Sequence, residues 1–95
     1  MSLEIYYTPK SKETLKSVFE FICQNFGEKS GYKFVEKAEK IIKLISEQPY
    51  MYRASTIDER VRVGLITKQS SLFYRVNDDK IHLLFFWDNR QKPVF

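Results

Sequence analysis

The sequence predicts an α+β domain: an N-terminal strand, an antiparallel helical hairpin and then a three-stranded antiparallel meander. Three observations predict it: a short strand-like segment at residues 3–8, two long stretches with apolar residues at helical spacing, and a change to a period of two after residue 60. We expect the hairpin to cover one face of a mainly antiparallel four-stranded sheet. The 95 residues are expected to form one domain, 1–95.

The first helix is predicted to begin after Thr8, because a threonine can cap a helix and Pro9 suits the first helical position. Gly27 is a suitable stop for it. Its apolar face comprises Leu15, Val18, Phe19, Ile22 and Phe26. A second helix is predicted over residues 28–47, because the residue before Pro49 avoids the helical region. Its apolar face comprises Phe34, Ala38, Ile41, Ile42 and Ile45.

Three strands are predicted in the second half of the chain. Apolar and polar residues alternate over 60–65, and strand-forming residues follow at 72–76 and 80–87. The run at 83–86 is apolar on both faces, which marks the last strand as central in the sheet. Residues 50–59 are a loop for which the sequence predicts no regular structure.

The charge distribution indicates where a partner binds. The net charge of +4 suits an anionic partner such as RNA, DNA or an acidic peptide. Most lysines alternate with glutamates on the helices, a pattern typical of a solvated helix face. The arginines all follow residue 50, at Arg53, Arg60, Arg62, Arg75 and Arg90. Because arginine binds phosphates and carboxylates in a bidentate manner, we expect the sheet and its edges to be the working surface.

Several classes of site lack their sequence signals. Cys23 is the only cysteine, which excludes an intrachain disulfide, and it lies in a helical apolar pattern typical of a core residue. The sequence has no metal-ligand spacing, no Gly-rich phosphate loop and no nucleophile triad. No apolar run approaches the roughly 20 residues that span a bilayer. We therefore expect a cytoplasmic protein with no cofactor, no metal and no membrane association.

The candidate catalytic residues are Arg62, Arg75, Asp88 and Arg90. Asp88 and Arg90 follow the end of the last strand, where they form either a functional pair or a turn-stabilising aspartate with a solvated arginine. Arg62 lies between two valines, so its guanidinium is expected on the sheet face away from the core, in contact with a partner. Arg75 either serves in a site or forms a structural ion pair with a nearby aspartate.

The predicted partner-binding residues are Arg60, Arg62, Trp87 and Arg90. Trp87 has two interpretations: it stacks on a base or a partner side chain, or it packs in the core. His82 is the only histidine, and histidine is a residue type often used as an acid or base, so it is a candidate for that role, with a structural role as the alternative.

Four local features together resemble a known family. They are Gly27 between the helices, Pro49 after the second helix, the segment Phe73-Tyr74-Arg75-Val76 before an acidic turn, and the ending Phe-Trp-Asp-Asn-Arg-Gln-Lys-Pro at 86–93. In this order and spacing the chain resembles the RelE/ParE superfamily of type II toxin–antitoxin toxins, which includes plasmid stabilization proteins. The resemblance covers nearly the whole chain.

The resemblance implies a toxin that arrests growth when it is freed from a cognate antitoxin. RelE-like members cleave messenger RNA on the ribosome, and ParE-like members inhibit DNA gyrase. The antitoxin is expected to lay an amphipathic helix or an extended segment over the hairpin and sheet and to present carboxylates to the arginines. The resemblance also leaves a homodimer open.

The residues that match the family's nuclease positions favour the ParE-like activity. RelE-like nucleases use lysines and arginines on the middle strands and a tyrosine or histidine near the C-terminus. The matching strand positions here are Arg62, Gly64 and Ser71, and no tyrosine or histidine follows Arg90. Gyrase inhibition is therefore favoured. A RelE-like messenger RNA endonuclease with a substituted site and an inactive binding relative stay open, so the sequence does not decide whether the protein is an enzyme.

Overall fold

The computed structural model describes residues 2–56 and 58–91, and the predicted α+β fold is confirmed. The elements in chain order are β1 (Glu4–Tyr7), α1 (Pro9–Phe26), α2 (Glu28–Glu47), β2 (Arg62–Leu65), β3 (Ser70–Asn77) and β4 (Lys80–Asp88). The strand bounds differ from the predicted ones by a few residues. Residues 92–95, which include the end of the family-like C-terminal motif, lie outside the described residues.

The predicted ends of α1 are confirmed by its hydrogen bonds. The Thr8 hydroxyl accepts a hydrogen bond from the Ser11 N–H at 3.1 Å, as expected of an N-cap. The same hydroxyl donates to the Leu83 carbonyl at 2.7 Å, so the cap also joins the helix to β4. Gly27, with φ of 94°, ends α1 and donates its N–H to the Cys23 carbonyl at 3.0 Å. A sharp turn into α2 follows.

The two helices approach each other closely at Gly31. Gly31 is buried in α2, and a Cβ built on it would overlap the Cys23 Sγ of α1 and lie 3.2 Å from the Phe19 ring. The missing side chain therefore sets the spacing of the hairpin at this level. Cys23 is only half-buried at this contact and is not among the buried core residues, so it packs between the helices and not in the core as predicted.

The four strands form one sheet in the order β1-β4-β3-β2. β1 runs parallel to β4, and the other two pairs are antiparallel, so the sheet is mainly antiparallel and β4 is a central strand, as predicted. The register between β3 and β4 shifts after Phe73: Phe73 faces Phe85, whereas Tyr74 faces Leu83. Leu84 is therefore an extra residue in β4 at this point.

The helices cover one face of the sheet and the other face remains uncovered by them. The core combines both layers and comprises Val18, Ile22, Phe34, Ala38, Ile42, Ile45, Ile66, Leu72, Tyr74, Ile81, Leu83 and Phe86. On the opposite face Phe73 and Phe85 stack with ring centroids 4.4 Å apart. Tyr74 also reaches the end of α2, where its hydroxyl donates to the Pro49 carbonyl at 2.9 Å.

The loop after α2, which the sequence left without structure, runs along the outer edge of β2. Ala54 pairs with Arg62 in an antiparallel bridge, and the Ser55 N–H donates to the Val61 carbonyl at 2.6 Å. The Val63 N–H donates to the Arg53 carbonyl at 3.3 Å. Part of the edge of β2 is therefore already paired within the chain.

The predicted orientation of β2 is wrong. Arg62 is the partner of the buried Tyr74 and Gly64 is the partner of Leu72, so these β2 residues face the helices. Leu65 points the other way and is 59% exposed. Alternation fixes which residues share a face, but it does not fix which face meets the helices. Here the Tyr52 ring occupies the space beside Gly64, 3.1 Å from where a Cβ would lie.

Candidate functional site

The Asp88–Arg90 pair is a structural anchor at the end of β4. The Asp88 side chain is fully buried. Its Oδ1 accepts from the Arg90 backbone N–H at 2.8 Å and from Nε at 3.0 Å, and its Oδ2 accepts from Nη2 at 2.8 Å. Oδ2 also accepts from the Ser70 hydroxyl at 2.8 Å. Asp88 thus closes the turn after β4, and it holds Arg90 in an ion pair instead of leaving that arginine solvated.

The hydrogen bonds at Asp88 keep it ionised despite its burial. Desolvation raises the pKa of Asp88, but hydrogen bonds from the Arg90 side chain and backbone and from Ser70 outweigh it. The net effect lowers the pKa of Asp88 below its ordinary value. The pKa of the Arg90 guanidinium is raised by the same side-chain hydrogen bond. The pair is therefore charged throughout the neutral range.

Arg90 borders a cavity of about 280 Å³, which we call the Arg90 pocket. The pocket is lined by Ile22, Phe26, Ser30, Lys33, Phe34, Lys37, Thr67, Gln69, Ser70 and Arg90. The Arg90 guanidinium carbon lies 4.2 Å from the centroid of the Phe26 ring, and one third of the side chain is exposed. Phe26, expected on the buried face of α1, is instead 49% exposed, and the Arg90 guanidinium covers part of its ring.

Sequence reasoning missed two residues of this pocket. Lys33 and Lys37 lie on the exposed face of α2, as the alternating charges predict, but both also line the Arg90 pocket. The available signal was their spacing, since Ser30, Lys33, Phe34 and Lys37 form one i, i+3, i+4, i+7 stripe. The sequence alone does not show which neighbouring element that stripe meets.

A second cavity, the Arg62 pocket, lies at the start of β2 and has a volume of about 270 Å³. It is lined by Tyr50, Glu59, Arg60, Arg62, Arg75, Val76 and Asn77. The Arg62 Nη1 donates to the Tyr52 carbonyl, and the guanidinium carbon lies 4.8 Å from the Tyr50 ring centroid. Residues 50–52, just after α2, therefore hold a side chain that was expected on the opposite face.

Arg60 forms a local ion pair at the rim of the Arg62 pocket. Its Nε and Nη2 donate to the two Asp58 carboxylate oxygens at 3.2 and 3.1 Å. The side-chain hydrogen bond from Arg60 is the main cause that lowers the pKa of Asp58. Because the Arg60 side chain is 72% exposed, this pair is solvated and still open to a partner.

Trp87 and His82 both belong to the sheet face that the helices leave uncovered. Trp87 is half-buried opposite Ser71 and lines a cleft of about 430 Å³ beside the first turns of α1. His82 lies between Tyr6 of β1 and Arg75 of β3 in the strand register. Its ring meets the Tyr6 ring edge-on, with centroids 5.4 Å apart.

The structure divides the candidate catalytic residues into two places. Arg62 and Arg75 share one pocket, whereas Asp88 and Arg90 lie at the other end of β3 and β4. The two places are separated by four to five strand residues, roughly 15 Å. Both pockets present cations and can bind anions.

Residues 2–56 and 58–91 contain neither a candidate metal site nor a membrane-spanning helix. In this part of the chain no group of three His, Cys, Asp or Glu side chains is placed to hold a metal ion. Neither described helix is long and apolar enough to cross a membrane.

Solved structures of type II toxins share this fold. The chromosomal ParDE toxin–antitoxin system from P. aeruginosa superposes with a TM-score of 0.77 at 16% identity, covering 92% of this chain and 96% of that chain. The YoeB dimer from Staphylococcus aureus superposes with a TM-score of 0.65 at 18% identity, covering 92% of this chain and 97% of that chain. The toxin–antitoxin complex RelBE2 from Mycobacterium tuberculosis superposes with a TM-score of 0.61 at 12% identity, covering 93% of this chain and 99% of that chain. At these identities the likeness establishes the fold.

Family membership follows from the sequence match. The model of the ParE toxin of the type II toxin–antitoxin system, parDE, matches residues 5–93. The chain therefore belongs to the ParE toxin family, which confirms its predicted place in the RelE/ParE superfamily. No curated protein matches the sequence significantly.

Proposed function

We propose that this chain is a ParE-like toxin that arrests growth by inhibiting DNA gyrase and is silenced by a cognate antitoxin. The observation that carries the proposal is the separation of the candidate catalytic groups. Asp88 is buried and bound by Ser70 and Arg90, and Arg62 is bound by the Tyr52 carbonyl at the other end of the sheet. A toxin that acts by binding a protein needs no assembled acid and base.

The comparisons support the same choice. The matching family model is that of ParE, and the ParDE structure superposes with a TM-score of 0.77, against 0.65 for the YoeB dimer and 0.61 for RelBE2. The ParDE and RelBE2 structures are described as toxin–antitoxin systems or complexes, which supports an antitoxin as a partner of this chain.

An apolar groove on the hairpin is our candidate for the antitoxin helix. This helix groove is lined by Tyr7, Lys12, Leu15, Lys16, Phe19, Tyr32 and Val35 and has a volume of about 540 Å³. Tyr32 is 64% exposed while its ring packs edge-on against Phe19, with centroids 5.4 Å apart. An amphipathic helix would cover the apolar floor and place acidic residues beside Lys12 and Lys16.

One observation favours a second candidate, a RelE-like endonuclease. Cleavage of RNA requires activation of a 2′-hydroxyl, stabilisation of the phosphate and protonation of the leaving oxygen. The Arg62 pocket combines three arginines with the carboxylate of Glu59. Arginines can stabilise a phosphate, and a carboxylate can accept a proton. Glu59 is therefore the residue through which the two mechanisms can be separated.

The test is induction of the full chain in bacteria, followed by growth, plasmid supercoiling and messenger RNA ends. We expect growth arrest with altered supercoiling and intact messenger RNA. We expect the same from Glu59→Gln, because gyrase inhibition needs no base, and from the matched control Glu47→Gln at the exposed end of α2.

Codon-phased cuts that disappear in Glu59→Gln but persist in Glu47→Gln would replace the proposal with the nuclease. Normal growth at confirmed folded expression would instead identify an inactive binding relative.

A further inference from the structure

We propose that the Arg90 pocket binds a carboxylate that an acidic segment of the antitoxin presents beside an apolar side chain. The identity of the partner rests on the proposed function, whereas the carboxylate site rests on the geometry of the pocket alone. The site adds two lysines of α2 to a surface that the sequence assigned to the arginines of the sheet.

Three cations from two elements converge on the pocket. Lys33 and Lys37 are one turn apart on α2, and Arg90 follows the end of β4. No carboxylate is among the described residues that line the cavity. Asp88 offsets one charge, but it lies buried behind Arg90 and its oxygens are already occupied. The cavity therefore carries an excess of positive charge next to solvent.

The Arg90 guanidinium is already held in position before a ligand arrives. Asp88 engages its Nε and Nη2, and the Phe26 ring supports its face. The pair with Asp88 leaves Nη1 for another acceptor. A fixed guanidinium loses little side-chain entropy on binding, and its Nη1 can donate to one oxygen of a carboxylate.

The Thr67 hydroxyl adds an uncharged hydrogen-bond donor to the polar lining of the Arg90 pocket. The Thr67 hydroxyl accepts hydrogen bonds from the Gln69 N–H at 3.1 Å and the Ser70 N–H at 3.0 Å. Its own hydrogen is then free to be donated to an oxygen in the cavity. The turn between β2 and β3 thus supplies a donor to the cavity that Lys33 and Lys37 also line.

The floor of the pocket favours a protein ligand over RNA. Ile22 and Phe34 lie at the bottom of the cavity and are only 4% and 2% exposed, so the apolar surface open to a ligand side chain is mainly that of Phe26, which is 49% exposed. A base would need an open aromatic face. Phe26 already carries Arg90 on its ring and meets Phe21 edge-on, and Phe34 is only 2% exposed. An acidic peptide with an apolar residue therefore fits better than a nucleotide.

The test is a titration of the isotope-labelled full chain with three probes, followed by NMR. The probes are the peptide acetyl-EELFEE-amide, its neutral counterpart acetyl-QQLFQQ-amide and the single-stranded RNA hexamer of uridine. We expect the acidic peptide alone to bind, with salt-sensitive shifts centred on Lys33, Lys37, Thr67 and Arg90. The variant K33Q/K37Q should weaken this binding about tenfold or more, as expected on loss of charge-assisted pairs.

The control variant K40Q/K43Q removes the same charge from α2 at exposed positions outside the pocket and should bind like the unmodified chain. An equal loss in both variants, shifts elsewhere on the surface, or no binding at millimolar peptide would overturn the site. If the RNA hexamer bound these residues more tightly than the acidic peptide does, the pocket would be a site for nucleic acid and not for an acidic protein segment. The titration involves neither growth nor gyrase. Binding of the acidic peptide therefore stands even if the chain does not inhibit gyrase, and gyrase inhibition stands even if the peptide does not bind.

Discussion

The Asp88 carboxylate and the Arg90 guanidinium form a two-point pair at the end of β4, with Nε–Oδ1 at 3.0 Å and Nη2–Oδ2 at 2.8 Å. One partner is fully buried and the other reaches the surface. The buried residue fixes the position of the exposed one, so the pair joins the fold to the surface that we propose as a binding site. Because structural and binding roles meet in this pair, its two residues must be tested separately.

Replacing Asp88 with asparagine should lower the free energy of unfolding by about 2 kcal/mol, because Ser70 and Arg90 lose a buried charged acceptor. Urea unfolding of both proteins measures the difference. Asp79→Asn, in the exposed turn before β4, is the matched control and should change stability by less than about 0.5 kcal/mol. A loss in Asp88→Asn no larger than in this control would contradict the anchoring role.

The contribution of Asp88 should depend on pH in a defined direction. Because folding lowers the pKa of Asp88 below the ordinary value of 3.8, the stabilisation is complete above that value. It is lost as the pH falls through the lower folded pKa, since protonation then occurs in both states. The stability difference between the unmodified chain and Asp88→Asn should therefore be constant from pH 7 to about 5 and narrow below about 4.

Unfolding curves in urea at several pH values measure this. A difference that stays the same down to pH 2.5 would show that the Asp88 carboxylate is not stabilised by the fold.

Gly31→Ala should destabilise the hairpin by about 1–3 kcal/mol, because the new Cβ overlaps the Cys23 Sγ. In a helix without such a contact the same change would stabilise by about 0.5–1 kcal/mol. The double variant Gly31→Ala with Cys23→Ala should recover part of the loss, since the overlapping sulfur is gone. Thermal unfolding of the two single variants, Gly31→Ala and Cys23→Ala, and of the double variant measures this coupling. An unchanged or higher Tm for Gly31→Ala would show that the helices are further apart.

Thr8→Ala should lower stability by about 1–2 kcal/mol, because the hydroxyl both caps α1 and binds the Leu83 carbonyl. Thr8→Ser keeps the hydroxyl and should retain most of the stability. Guanidinium unfolding followed by circular dichroism distinguishes the two. Equal losses in both variants would mean that the methyl group, and not the hydroxyl, stabilises this junction.

The sequence predicted those parts of the fold that depend on local chemistry. Thr8 and Gly27 mark the ends of α1, and the apolar run at 83–86 marks β4 as a central strand. The sequence pattern predicted the wrong sheet face for Arg62, because an alternating strand shows the same pattern whichever of its faces meets the helices. The decisive contacts of Arg62, with Tyr50 and Tyr52, come from a loop that has no periodic signal.

The candidate sites were predictable only in part for the same reason. Asp88 and Arg90 are two residues apart, so a turn places them together and the sequence could suggest the pair. Lys33 and Arg90 are far apart in the sequence and meet only because the hairpin lies across the sheet. A charge pattern on a helix gives the spacing of its lysines, whereas tertiary packing determines what they face.

The central claim is tested most directly with the purified chain in a DNA gyrase supercoiling reaction, run beside a ribosome-bound messenger RNA cleavage reaction. We predict loss of supercoiling as the chain approaches the concentration of gyrase, with the messenger RNA left intact. Active gyrase together with cleaved messenger RNA would contradict the account.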